Sequence, residues 1–230
     1  MATGSTSRGR LRDNVSRAAI ARVVGAYDNW VIRSYCRVRF LILRQRFLDE
    51  ISQYLPHSGV VLDLGCGFGL FSLYYAQTRP GLRLYGVDLD GRRVGIAREA
   101  GRRLGLTNVE YVVSDVRHFR AEREYAGAYM LDIVHHIEPH AVRPLLAELH
   151  AALSPGACLL VKDVDTRPVY KRWFTHALDL LVTPGSPPHY WAAETLQVAL
   201  EDAGFRVFRH SMVDFLPYPH VLYICRKTAT

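Results

Sequence analysis

From residue 58 onward, short apolar runs alternate with longer stretches in which apolar residues recur at helical spacing, and nothing else in this chain restricts its fold as tightly. The runs at 59–64, 82–88, 109–114, 127–134 and 157–163 read as strands, and the stretches at 69–78, 90–105 and 138–152 read as helices. Strands joined through helices pair in parallel, so the pattern predicts an α/β, doubly wound sheet with helices on both faces. A helix at 191–203, a turn at Gly204 and strands at 205–211 and 219–226 extend it to a mostly parallel seven-stranded sheet.

Two segments break this rhythm. Residues 1–10 are small and polar and read as a flexible tail. Residues 11–57 carry apolar positions at helical spacing, interrupted near Gly25 to Asn29 and closed before Pro56, which predicts two N-terminal helices forming a cap or lid. The remainder, 58–230, forms one domain with an aromatic, proline-rich insertion at 165–191 around a helix at about 168–182, placed where a wall over a site would stand. A chain of 230 residues buries roughly 70% of its unfolded surface and needs no disulfide or metal staple. Its four cysteines, Cys36, Cys66, Cys158 and Cys225, are widely spaced and suit reduced thiols. No run approaches about 18 uncharged apolar residues and no secretory h-region opens the chain, so the expected location is the cytoplasm.

The densest chemical signal is Val60-Val61-Leu62-Asp63-Leu64-Gly65-Cys66-Gly67-Phe68-Gly69, a buried strand entering a glycine-rich turn that opens a helix. Glycine lets the backbone turn sharply and approach a ligand. Asp63 sits at the strand end, where a carboxylate meets a cationic group. Asp88 closes the second strand, where a carboxylate accepts from two ribose hydroxyls. Asp115 closes the third, in reach of an adenine amino group. A nicotinamide fingerprint, G-x-G-x-x-G, fails here because position 70 is Leu, and Asp63 would face a pyrophosphate with like charge.

From Val60 to Lys162, this order of motifs resembles the class I S-adenosylmethionine-dependent methyltransferases, a Rossmann-like family. The resemblance implies that Gly65, Gly67 and Gly69 line the methionine end of the cofactor and that Asp63 sits by its amino group. It implies that Asp88 takes the ribose and Asp115 the adenine. Cys66, Leu89 and Val116, beside these residues, and Leu131 and Asp132, in the fourth-strand motif Leu131-Asp132-Ile133-Val134-His135-His136, complete the implied cofactor site. Small-molecule methyltransferases, including those acting on quinone precursors, often show a similar strand ending in paired histidines. The N-P-P-Y loop of enzymes that methylate amino groups of DNA bases or glutamine is replaced by D-I-V-H-H-I-E.

A hydroxyl, phenol or enol acceptor needs a base near neutral pH, and His135 and His136 are the candidates at the ligand end of the sheet. On a strand their side chains would face opposite ways, so one alone would meet the acceptor. Lys162, Asp163 and Asp165 make the fifth strand end unusually charged, fit to orient an acceptor or to pair with Arg167 or Lys171. Tyr27, Trp30, Trp173 and Tyr190 belong to segments outside the repeating core, where acceptor specificity is built. No metal is expected. The expected activity is methyl transfer to oxygen or carbon of a small, fairly apolar acceptor: a natural product, a quinone or isoprenoid precursor, or a lipid. RNA or protein methylation is the alternative, and a non-catalytic module that binds the cofactor is a third reading.

The net charge of +7 is local: the first fifty residues hold ten arginines against four acids. Those helices either cap the sheet, close as a lid, or attach to an anionic membrane or RNA, and no nucleic-acid module accompanies them. They also leave pairing into a homodimer open.

Overall fold

A computed structural model describes residues 4–164, 189–212 and 220–228. Two helices, α1 (Gly4–Gly25) and α2 (Trp30–Tyr54), precede β1 (Gly59–Leu64), α3 (Leu70–Thr78), β2 (Leu82–Asp88), α4 (Gly91–Arg103) and β3 (Val109–Val113). Then follow β4 (Gly127–Leu131), α5 (Pro139–Ala152), β5 (Cys158–Val164), α6 (Ala193–Asp202), β6 (Phe205–Ser211) and β7 (His220–Lys227). The seven strands lie in the order β3-β2-β1-β4-β5-β7-β6. β1 to β5 are parallel to one another, and β7 runs antiparallel to both of its neighbours. The strand order reverses between β1 and β4, and at such a switch point ligands bind beyond the carboxyl ends of the strands.

Alternation along each strand divides the interior into two layers. Val61, Leu84, Tyr129 and Leu160 face a cluster with α1 to α4, whereas Leu62, Leu64, Met130 and Leu159 face α5 and α6. Buried residues of the N-terminal helices, from Ala19 to Leu55, join the first of these clusters, so α1 and α2 share the core of the sheet. Asn29 starts α2 by accepting from the backbone N–H of Val31 and Ile32, and Leu55, before Pro56, is extended and ends it. Arg79 fixes that end by donating to the carbonyls of Ser52 and Pro56.

Two boundaries differ from the sequence reading. Residues 4–10 are helical, because α1 is anchored by buried Ser16, Ala19 and Val23, and an anchored helix propagates cheaply toward its end. The fourth strand stops at Leu131, three residues early, because Asp132 adopts a left-handed backbone (φ 58) and the chain continues as a 3₁₀ turn, Val134–His136. The helix expected at about 168–182 lies outside the described residues.

Candidate functional site at the carboxyl edge of the sheet

The turn after β1 has left-handed backbone at Gly65, Gly67 and Gly69 (φ 76, 54 and 76). These glycines differ in what surrounds them. A Cβ at Gly65 would lie 2.2 Å from the Ile133 side chain and one at Gly69 2.6 Å from the Tyr111 hydroxyl, while one at Gly67 would meet nothing within 4 Å. Packing therefore demands the outer two, and the middle one opens its backbone to space that a ligand can fill. The turn is pinned to β2, since Gly65 N–H and Cys66 N–H both donate to the Val87 carbonyl, at 2.8 and 3.1 Å. Cys66 is buried, and burial pushes its thiol far up.

Asp88 reaches this turn from the end of β2. One carboxylate oxygen accepts from Gly67 N–H at 2.8 Å and the other from Asp90 N–H at 2.9 Å. Each oxygen retains a second lone pair for a hydroxyl. Leu89 beside it is exposed, an apolar face next to a carboxylate. Asp63 lies below the turn, buried, accepting from the Tyr129 hydroxyl at 3.0 Å. Burial pushes its carboxyl up to about 7, against the hydrogen bonds of Tyr129 and Ser72. An arriving cation would therefore ionise it. Asp115 starts the 3₁₀ turn Val116–His118 by accepting from Arg117 N–H, and the Arg117 guanidinium grips both its oxygens, Oδ1 at 3.0 Å and Oδ2 at 2.6 Å. Arg117 holds that carboxyl below its usual range and would compete with any other donor.

Beyond β4 and β5 the site is built from charge. The Asp132 carboxylate receives Lys162 Nζ at 2.6 Å, pairs with Arg39 from α2 and has His220 Nε2 of β7 at 3.9 Å. Burial alone would raise this carboxyl, but Lys162, Arg39 and His220 together hold it far below the ordinary range. Lys162 is wholly buried, its ammonium 5.8 Å from the centre of the Phe47 ring. Asp163, also buried, accepts from His135 N–H at 3.0 Å and meets His135 Nδ1 at 2.5 Å. The His135 ring stacks on Tyr190 (5.7 Å between centroids) and lies against His136 (4.1 Å). The two histidines stand in a 3₁₀ turn, about 120° apart around its axis, rather than on opposite faces of a strand.

The N-terminal helices close over the glycine turn. The Tyr27 hydroxyl, buried, donates to the Phe68 carbonyl at 2.9 Å, and Arg33 donates to the Tyr27 carbonyl. The Tyr35 ring meets the Phe68 ring at 5.9 Å. Trp30, expected in the acceptor wall, is 75% exposed on the outer side of α2, as the first residue after its cap. Lys162, Asp163 and Tyr190 are gathered with the histidines. Asp165 and Trp173, and the pairings expected with Arg167 and Lys171, lie outside the described residues. Sequence reasoning missed Arg39 and His220: nothing local links an arginine on a helix to an aspartate 93 residues later. Among the described residues no three His, Cys, Asp or Glu side chains group as a metal site would require.

A family model for a methyltransferase domain matches residues 32–210. Trans-aconitate 2-methyltransferase of Pseudomonas paraeruginosa is 31% identical over 170 residues, covering 71% of this chain and 57% of that protein. The chain thus spans about half the length of the curated relatives it matches. Among solved structures, an S-adenosylmethionine-dependent methyltransferase of Methanosarcina mazei superposes with a TM-score of 0.64 at 20% identity, covering 78% of this chain and 97% of that one. Coclaurine N-methyltransferase, bound to N-methylheliamine and S-adenosylhomocysteine, gives 0.59 at 21% identity over 73% of this chain and 50% of that one. At such identities the structural matches speak for the fold.

Proposed function

This chain belongs to the class I S-adenosylmethionine-dependent methyltransferase family, and on that premise we propose that it moves a methyl group from S-adenosylmethionine to an oxygen or carbon of a small, fairly apolar acceptor. The observation that carries the reading is the glycine turn with open space at Gly67, flanked by Asp88 and underlain by Asp63. Those residues fit the cofactor: Gly67 leaves room for backbone contact, Asp88 has lone pairs for ribose hydroxyls, and Asp63 gains a partner in an ammonium group. The cofactor, when bound, supplies an electrophilic methyl on a sulfonium sulfur.

What remains for the chain is to align the acceptor at about 3–3.5 Å and to take its proton. Asp163 is the natural acceptor for the Nδ1 proton of His135, which fixes the orientation and tautomer of the ring. With the cofactor bound, the His135 ring would take the proton from the acceptor oxygen or carbon that receives the methyl. Asp132, anchored by Lys162 and Arg39, holds the turn that presents this histidine. The four free cysteines are all buried, which supports a reducing, cytoplasmic setting.

A second reading is favoured by the trans-aconitate relatives: the acceptor is a small organic acid. Calorimetric titration with S-adenosylmethionine, S-adenosylhomocysteine and NADH tests the cofactor. Micromolar affinity for the two sulfur compounds and none for NADH is expected, and the reverse overturns the proposal. Screening phenols, enols and small acids with the labelled cofactor then separates the acceptor readings. On the acceptor so found, His135→Ala is expected to lower turnover about 100-fold while sparing cofactor affinity.

A further inference from the structure

The outer face of α2 is apolar, exposed and rimmed by cations. Val31, Tyr35, Val38 and Leu41 recur at helical spacing and are 53, 36, 53 and 76% exposed, with Trp30 as open as Leu41 at the end of the stripe. Arg37 borders one edge and Arg46 the other, both exposed, and no acid occurs from Trp30 to Leu48. Globular proteins rarely leave such a contiguous face to water. No described helix is long and apolar enough to cross a membrane, so a helix of this pattern lies in an interface rather than through it.

We propose that this face of α2 docks the protein on an anionic lipid surface, the apolar stripe entering the headgroup boundary and the flanking arginines meeting phosphate. Charge argues for lipid over the other occupants. A second copy of the chain would bring the same arginine rim against itself. An RNA partner would stack on Trp30 and Tyr35 alone, because Val31, Val38 and Leu41, the rest of the stripe, are aliphatic and offer no stacking face. The inference goes beyond the catalytic reading and does not depend on it, since docking is read without cofactor or acceptor. Should both hold, the face borders the site: Arg39 on the same helix reaches Asp132, and Tyr35 packs on Phe68 of the glycine turn.

The test is co-sedimentation of the full chain with vesicles of phosphatidylcholine alone and of phosphatidylcholine mixed with phosphatidylglycerol. Binding to the anionic vesicles, weakened by salt and slight on the neutral ones, is the expected result. Arg37→Gln and Arg46→Gln should each lower partitioning about five-fold, and Leu41→Glu or Val38→Glu should abolish it while circular dichroism and cofactor affinity stay unchanged. Equal binding by the Val38→Glu and Leu41→Glu variants would overturn the proposal. So would no vesicle binding by the parent chain, whether sedimentation velocity then showed a dimer lost in Leu41→Glu or a gel shift showed RNA binding.

Discussion

Along β1, β2 and β3 the carboxyl edge of the sheet ends in backbone turns whose own N–H groups are held by nearby acids. Along β4, β5 and β7 it ends in charged side chains, buried in pairs drawn from distant parts of the chain. In the first region the functional groups are contiguous: Gly67 N–H meets Asp88 one strand away, and Asp90 N–H lies two residues from its acceptor. In the second, Arg39 crosses from α2 to Asp132, Lys162 comes from β5 and His220 from β7. The first region therefore commits little stability to its ligand contacts, while the second makes part of the fold depend on buried charges that must remain matched. A buried ion pair is weak evidence of net stabilisation, but losing one partner is costly.

That contrast is most exposed to attack at Asp132. Replacing it with Ala removes the carboxylate facing Lys162, Arg39 and His220 and, at φ 58, gives up the tolerance of left-handed backbone that Asp has over Ala. A loss of about 3–5 kcal/mol in denaturant unfolding is expected. Asp132→Asn combined with Lys162→Met should cost less than the two singles added together, since the double variant removes both charges of the fully buried pair and leaves only Arg39, partly exposed, and His220 to lose that carboxylate. Additive costs would break the claim that the edge along β4, β5 and β7 is held by coupled charge.

The half built on β1 to β3 buries two carboxylates, Asp63 and Asp88, and the deeper one, Asp63, should behave in the opposite way. Asp63 titrates near 7 in the folded protein against an ordinary value of 3.8. The folded state therefore holds a proton that the unfolded chain has released. Its contribution is fully present below about pH 4 and is lost as pH rises through 7, on the order of 4 kcal/mol in all. Asp63→Asn should flatten the dependence of unfolding free energy on pH across that window. It should also reduce the proton release on binding S-adenosylmethionine below pH 7, measured by calorimetry in buffers of different ionisation enthalpy. An unchanged slope would mean that Asp63 is ionised in the resting protein and that its burial is compensated.

What the sequence disclosed follows the same division. The alternation of strands and helices, the glycine turn and the acids ending β2 and β3 are local patterns, and each fell within a residue or two of its expected place. The length of β4 was misread because Ile133 and Val134 continue the apolar run, and nothing in the local pattern shows that Asp132 turns left-handed to meet Lys162. The two histidines were picked out as candidates from their place after the fourth strand, but their arrangement depended on that turn. Trp30 was placed by its chemistry, yet its direction is set by α2 packing through Cys36, Phe40 and Leu43 on the opposite side. Long-range pairing of charges leaves no periodicity to read.

At Asp88 the effect moves from stability to binding. Asp88→Ala removes the acceptor for Gly67 N–H and Asp90 N–H and the lone pairs offered to a ribose, so affinity for S-adenosylmethionine should fall by roughly 1–3 kcal/mol. Calorimetry reads this directly, and an unchanged affinity would remove Asp88 from the cofactor site.

The finest form of the comparison lies within the glycine turn itself. Gly65 and Gly67 share a left-handed backbone, so an alanine at either bears a similar conformational cost of about 1 kcal/mol. They differ in what the added methyl meets: the Ile133 side chain at one, open space at the other. Gly65→Ala should therefore add overpacking, about 1–3 kcal/mol more, seen in unfolding. Gly67→Ala should leave stability near the backbone cost alone but weaken S-adenosylmethionine binding by more than it weakens the fold, because its methyl occupies the space reserved for the ligand. If instead the alanine at 67 lowered unfolding free energy and left binding intact, that space would belong to solvent, and the ligand's path across the turn would have to run elsewhere along the edge.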